Sequence, residues 1–366
     1  MKIGILGTRG IPARYGGFET LAEELSARLT ARGHDVTVYT RSRYAEPGLS
    51  EWRGAKVRVL PTIPTKYLDT VAHGFLSGID AAFERFDSVL VCNAINAAAS
   101  FLPRLGGRTR IVLNVDGLER NRRKWSALGK FAYRVSERLS TIVPDAVVSD
   151  AQVIRDYYRD RYGFESHFIP YGADLPEPTG TDALDRLGLS REGYVLYVSR
   201  LEPENNADAV VRAYRGVPGE TPLVIVGDAP YAADYIARVR AEADPRVKFP
   251  GAIYGDGYRQ LLASAAVYVQ ATEVGGTHPA LVEALGYGRV VAYNATPENE
   301  EVAGGAALPF DVRKPETLTR LLTGVLDDPD SASVWKERAK RRAAERYRWD
   351  DVADRYEEVL RGTGLR

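Results

Sequence analysis

The chain has 366 residues, 45% hydrophobic and 27% charged: too long for one ordinary domain, and apolar enough for two packed cores. Lys plus Arg and Asp plus Glu both total 49, so the formal charge is zero. That excludes a global attraction to nucleic acid, and any anion site must be built locally.

Strands and helices alternate from the first residue. Residues 2–6 read as a buried strand opening onto a glycine turn, too short and too soon interrupted for a signal peptide. Phe18, Leu21, Leu25 and Leu29 recur at helical spacing, and Gly33 ends that helix. Further strands are predicted over 36–40, 57–60, 89–91, 111–115 and 146–149. Cys92, the single cysteine, follows an apolar run and reads as a buried small residue. One cysteine permits no disulfide framework, which fits a reducing cytoplasm. The segment 120–134 interleaves basic residues with Trp125, Phe131 and Tyr133. It reads either as a peripheral contact with anionic lipid at the inner face of a membrane or as a solvated helix over core aromatics. No apolar run approaches the roughly 20 residues that span a bilayer.

A Pro- and Gly-rich stretch around 175–180 marks a linker. Beyond it, strands are predicted over 194–198, 223–226, 247–249, 267–270 and 290–293, with helices over 207–214, 232–241, 258–263 and 279–286. This twofold alternation predicts an α/β protein of two Rossmann-like, doubly wound domains facing across a cleft, with ligands beyond the carboxyl ends of the strands.

Three segments carry chemistry. The loop 7–17 holds Gly7, Gly10, Gly16 and Gly17 between a strand and a helix, where backbone N–H groups approach an anion; Arg14 is a further candidate in it. It is not G-x-G-x-x-G, and no acid ends the second strand to hold a ribose, which argues against a nicotinamide cofactor. In the segment 198–206, Arg200 either neutralises a diphosphate bidentately or pairs with Glu202 or Glu204. In the segment 271–286, the amides of Gly275, Gly276, Thr277 and His278 precede a helix opened by Pro279, and Glu283 lies about one turn in, within reach of ribose hydroxyls. Asp116 ends a strand of the first half; it serves either as a carboxylate for the attacking hydroxyl or as a turn residue before Gly117. No D-x-D ends a strand and no ligand spacing for a metal appears, so none is expected.

Together these segments resemble glycosyltransferase family 4, of GT-B fold. The resemblance rests on Gly16-Gly17 with the helix to Arg32-Gly33-His34, on Ile169 through Asp174, and on Ser199-Arg200-Leu201. Gly227-Asp228, the helix bearing Glu283, and Trp349 through Glu357 complete it. Within the family, the chain is similar to a branch of capsule and cell-wall rhamnosyltransferases. The markers are Gly7 to Gly10, Tyr15 to Glu19, Val115 to Glu119 with Lys124-Trp125, Glu202 to Asn206, and Val274 to Pro279.

The resemblance implies domains over 1–174 (acceptor side) and 193–345 (nucleotide-sugar side), a linker over 175–192, and a last helix in 346–366 that crosses back. It implies a retaining, metal-independent transfer from a nucleotide diphosphate sugar, dTDP-L-rhamnose by the branch, to a saccharide or lipid-linked acceptor. Asp116 and Arg200 would be catalytic. Gly16, Gly17, Arg200, Asn205, Gly275, Gly276, Thr277, His278 and Glu283 would bind the donor. The chain departs from the family at two positions: the usual lysine is Asn205, and the first glutamate of E-x7-E falls on Gly275, with Glu273 two residues earlier. A sugar-nucleotide epimerase of the same architecture and a non-catalytic sugar-nucleotide-binding subunit are the competing readings.

Overall fold

Runs of Val, Ile and Leu too apolar for a half-exposed sheet form two separate, mainly parallel sheets in the computed structural model. It describes residues 1–14, 16–63, 68–118, 120, 122, 125–174 and 176–363, with Leu68 and Ser331 by backbone alone. Tyr15, Glu119, Asn121, Arg123, Lys124 and Leu175, used in the sequence reading, lie outside the described residues. Two units result: Met1–Tyr171 with Trp349–Arg366, and Gly172–Arg348.

In the first unit the strands are β1 (Lys2–Leu6), β2 (Asp35–Arg41), β3 (Glu51–Trp52), β4 (Ala55–Leu60), β5 (Ser88–Cys92), β6 (Arg110–Asn114), β7 (Ala146–Ser149) and β8 (His167–Phe168), ordered β3-β4-β2-β1-β5-β6-β7-β8. Only the β3–β4 pairing is antiparallel among the described residues. Alternate side chains feed two layers. Ile3, Ile5, Val36, Val38, Leu90 and Cys92 share a core with the Gly17–Ala31 and Trp349–Arg361 helices. Leu6, Tyr39, Val89, Val91, Ile111 and Leu113 pack with the Leu68–Glu84 and Gln152–Tyr162 helices on the other face. Cys92 is wholly buried, and burial pushes its thiol well above its usual range.

The second unit contains β9 (Val195–Val198), β10 (Leu223–Val226), β11 (Val247–Gly251), β12 (Val267–Gln270), β13 (Val290–Asn294) and β14 (Leu308–Phe310), all parallel, ordered β11-β10-β9-β12-β13-β14. The stretch 175–192 contains a helix, Asp182–Leu187, whose Ala183 and Leu184 join this unit's core. In both sheets the chain adds strands outward on one side, then returns to the middle and builds the other way. The reversal falls between β1 and β5 in one unit and between β9 and β12 in the other.

The last helix returns to the first unit because its apolar positions recur on one face. Trp349, Val352, Ala353, Tyr356, Val359 and Leu360 are all buried beside the Gly17–Ala31 helix. Charges at its edge then fix its register. Arg32 pairs with Asp354 at 2.7 Å and Glu357 at 3.0 Å, Arg28 with Asp350 at 3.1 Å, and His34 Nε2 meets Glu357 at 3.0 Å. Partial burial pushes the Glu357 carboxyl up, but hydrogen bonds from Arg361, His34 and Arg32 outweigh it and hold the group down at about 2.

A carboxylate acidified by folding stabilises the protein above its unfolded value and loses that stabilisation as pH falls towards its folded one. Glu357→Gln is therefore expected to cost about 1–2 kcal/mol at pH 7, after allowance for solvent screening. The difference from wild type should shrink between about pH 4.5 and pH 2. Denaturant melts of both proteins across that range provide the check; a gap independent of pH would remove the ion cluster from the helix's anchorage.

Candidate functional site

The reversal between β9 and β12 sends two loops out of the same edge of one sheet, a geometry that leaves a crevice at the strands' carboxyl ends. The loop after β9 carries Ser199, Arg200 and Asn205. Its turn is tight: Gly227, at φ 143°, passes beneath it, and a Cβ there would stand 1.8 Å from the Ser199 carbonyl oxygen. Ser199 N–H donates to the Val226 carbonyl at 3.1 Å.

Arg200 is held by its backbone, and its side chain stays partly exposed. Its carbonyl accepts from Asn205 Nδ2 at 2.6 Å and from the Glu202 amide at 2.8 Å. The guanidinium stands 3.8 Å from the buried Glu202 carboxylate, which also accepts from Tyr231 Oη at 2.5 Å, and the side chain remains 27% exposed. Of the two sequence readings of Arg200, the pairing with Glu202 is present, as a loose ion pair on a side chain that stays partly exposed. Asn205 is buried, Tyr197 Oη donates to its carbonyl at 2.6 Å, and its amide nitrogen faces the Arg200 carbonyl. At the position of the family's lysine, the chain therefore has a brace for the backbone of the arginine.

The loop after β12 is stitched to the first. Asn206, in the left-handed conformation at φ 58°, donates from Nδ2 to the Ala271 carbonyl at 2.9 Å. The Glu273 amide donates to the Glu204 carbonyl at 2.9 Å. The Thr272 carbonyl accepts from the buried Asn299 Nδ2 at 3.1 Å. From there the chain passes Gly275, Gly276 and Thr277 into the Pro279–Gly286 helix, whose N-cap residue His278 makes no side-chain cap. The helix dipole presents a positive end at this edge of the sheet, although Pro279 has no N–H and the Leu281 and Val282 amides donate back to the His278 carbonyl at 3.0 and 3.2 Å. Arg313 feels the Glu273 carboxylate, which draws its pKa up after the stronger effect of Asp311.

Two side chains here gain a physical meaning that the sequence lacked. The His278 ring lies over Gly275: a Cβ at residue 275 would meet its Cε1 at 2.4 Å. The space that a side chain would fill at the family's first glutamate position is taken by imidazole. Glu283 is buried rather than solvent-facing, and its Oε2 accepts a short hydrogen bond from Tyr258 Oη. Burial first, and Glu283 second, push the Tyr258 phenol well above its usual range, so it remains a donor to that carboxylate. The roles of Tyr258 and Asn299 escaped the sequence reading, which did offer Glu202 as a partner of Arg200. The nearest signal was polar residues where a packed interior is expected.

In the first unit, the loop 7–17 leaves the carboxyl end of β1 beside the reversal. Two carboxylates of the helix that follows fold back onto it: Glu19 Oε1 accepts from the Arg9 amide at 2.8 Å, and Glu23 Oε2 from the Ala13 amide at 2.5 Å. Gly16 is the extended N-cap of the Gly17–Ala31 helix and Gly17 its first residue; Arg14 pairs with Glu46 on the exposed rim. Asp116 follows β6 at φ 55°, a conformation that favours glycine, and Asn114 Oδ1 accepts its amide at 3.0 Å. Asn114 is itself held by the last helix, donating from Nδ2 to Tyr356 Oη at 2.6 Å. Asp116 lies close enough to Tyr171 to reinforce the upward shift that burial imposes on its phenol.

Comparison with known proteins agrees with this geometry. Residues 15–177 match the family described as Glycosyltransferase Family 4, and residues 185–342 match Glycosyl transferases group 1. The O-antigen chain mannosyltransferase B of Escherichia coli is 25% identical over 177 residues, which span 46% of this chain and 45% of that protein. Among solved structures, sucrose-phosphate synthase of Thermosynechococcus elongatus superposes with a TM-score of 0.83 at 18% identity, covering 99% of this chain and 98% of that one. HepE of Anabaena, in complex with UDP and glucose, gives 0.80 at 18% over 99% and 100%. WaaG, a glycosyltransferase involved in lipopolysaccharide biosynthesis, gives 0.73 at 15% over 98% and 100%. The two doubly wound units and these matches identify the fold as GT-B, with the first half of the chain matching Glycosyltransferase Family 4 and the second half Glycosyl transferases group 1.

Proposed function

We propose that the chain is a retaining, metal-independent transferase that moves a sugar from a nucleotide diphosphate to a saccharide or lipid-linked acceptor in capsule, cell-wall or exopolysaccharide synthesis. The donor on this reading is dTDP-L-rhamnose. The observation that carries the proposal is the pairing, at one sheet edge, of the part-exposed Arg200 guanidinium with the N-terminus of the Pro279–Gly286 helix. A departing diphosphate gains charge as the glycosidic bond breaks, and a fixed cation with oriented amides stabilises that charge without a divalent ion. The acceptor oxygen bonds to the anomeric carbon from the face the diphosphate leaves, and its proton passes to a diphosphate oxygen. Glu283, oriented by Tyr258, takes donor hydroxyls, and Asp116 hydrogen-bonds the attacking hydroxyl. HepE was solved with UDP and with UDP-glucose, and the Escherichia coli relative is a mannosyltransferase of O-antigen, which supports a nucleotide-sugar donor and a saccharide acceptor. The epimerase and non-catalytic readings find no favour among these relatives.

Incubation with labelled dTDP-rhamnose, UDP-glucose or GDP-mannose and lipid-linked saccharides, in excess EDTA, tests the reading. The expected result is undiminished transfer with retained anomeric configuration. Loss of turnover in EDTA, epimer formation without acceptor, or binding without turnover would each overturn it. Arg200→Lys keeps a cation beside Glu202 but loses the forked geometry. Donor Kd should rise roughly ten-fold, about 1–2 kcal/mol, with the melting temperature unchanged. Calorimetric titration showing equal affinity would take Arg200 out of the site. Gly275→Ala forces the His278 ring aside and should lower kcat/KM about ten-fold, with most of that cost disappearing in a His278→Ala background. Additive effects would mean that the ring's place over Gly275 has no part in donor recognition.

A further inference from the structure

Two helices of the first unit carry their hydrophobic pattern inside out. The Leu68–Glu84 helix buries His73, Gly74, Ser77, Gly78 and Ala81, with Gly74 and Gly78 against the segment 94–106, and exposes Phe75, Leu76, Ile79 and Phe83, the last at 83%. The Ala127–Ser140 helix buries Tyr133, Ser136, Glu137 and Ser140 and exposes Leu128, at 77%, with Phe131 and Val135; Ile142 follows it, also exposed. Both helices pack against the segment 94–106, which adds Phe101 and Leu105, the latter 71% exposed. Arg104 donates to the Val143 carbonyl at 2.9 Å and so fastens that segment to the chain beyond the second helix. The result is one broad apolar face, larger than scattered surface hydrophobes require.

Its charges have one sign. The four acids of the two helices are committed to partners within the unit: Asp69 to Arg41, Asp80 to Tyr39 and Arg58, Glu84 to Lys2, and the buried Glu137 to Arg120. Lys130, Arg134 and Arg138 stand exposed beside the apolar stripe of the second helix. The segment 120–134 that the sequence singled out contributes only in part. Arg122 and Tyr133 are buried, and Trp125 packs on Tyr133 with ring centroids 4.9 Å apart.

We infer that this face docks onto an anionic phospholipid bilayer, both helices lying in the headgroup layer with their apolar stripes in the acyl boundary. An outward apolar stripe flanked by cations is the pattern of a helix lying in the interface, and no described helix is long and apolar enough to cross a membrane. A second copy of the chain suits the face less well, because it would offer the same cations and no uncommitted acid from these helices. The inference deepens the membrane-edge reading of 120–134 and stands independently of sugar transfer.

The test is co-sedimentation of the full chain with vesicles of phosphatidylcholine alone and of phosphatidylcholine mixed with phosphatidylglycerol. Binding is expected to the mixed vesicles and to weaken with salt. The pairs F83S with L105S and K130E with R134E should each lower the partition coefficient roughly ten-fold. Equal partition into both vesicle types, or binding indifferent to both variants, would overturn the inference. So would a dimer seen by light scattering that F83S with L105S converts to monomer in a protein that ignores vesicles. Donor-induced thermal shifts on the same variants are expected to match wild type; they report on the sugar-transfer site separately.

Discussion

The reversal of strand order between β9 and β12 is the constraint from which the candidate donor site follows. Helices leaving two neighbouring parallel strands go to opposite faces, so the loops between must part, and strand-end backbone groups lose their ladder partners. Such groups are costly to leave buried and unpaired. Here they are satisfied across the gap, Asn206 to Ala271 and Glu273 to Glu204. Those bonds, one from the Asn206 side chain and one from the Glu273 amide, fix the spacing of the loops that carry Arg200 and lead into the Pro279–Gly286 helix.

The same two loops carry the chain's two departures from the family it resembles. Where the family has lysine, Asn205 turns inward and braces the carbonyl of Arg200. Where the family's first glutamate falls, Gly275 makes room for the ring of His278. At the first position a side chain braces the loop, and at the second a glycine leaves its space to a neighbouring ring. A site of this kind relies on oriented amides and one guanidinium, groups that need little reorganisation when charge develops on a leaving phosphate.

Much of the fold was legible because buried parallel strands leave continuous apolar runs. The strands predicted in both halves fall on β1, β2, β4 to β7 and β9 to β13. The missed strands have a physical reason. β3, β8 and β14 are two or three residues long, below the length at which a period shows. The Leu68–Glu84 helix went unread although Phe75, Ile79 and Phe83 recur at helical spacing, and its apolar stripe faces outward rather than inward. Around the candidate site, the loop leading to the helix of Glu283 stood out by its glycines and a proline after a strand end, and the loop bearing Arg200 by its place after a strand. The inward turn of Asn205, the burial of Glu202 and the Tyr258 partner were not legible. Each depends on contacts that a linear pattern does not encode.

The inverted helices also bear on what the first unit is for. Outward apolar side chains gain nothing from folding in water, since burial is what makes them stabilising. The inner face of the Leu68–Glu84 helix has Gly74, Ser77, Gly78 and Ala81 beside the buried His73, and the small residues let its backbone lie close to its neighbours: a Cβ at Gly78 would already touch the Leu102 side chain at 3.1 Å. Large apolar residues have been placed where the folded unit alone does not use them, and the acids of both helices are paired within the unit. A stability-optimised helix would have the opposite arrangement. The simplest physical reason for the actual one is a surface that becomes buried only against a partner, and a bilayer is also the medium in which a lipid-linked acceptor is held.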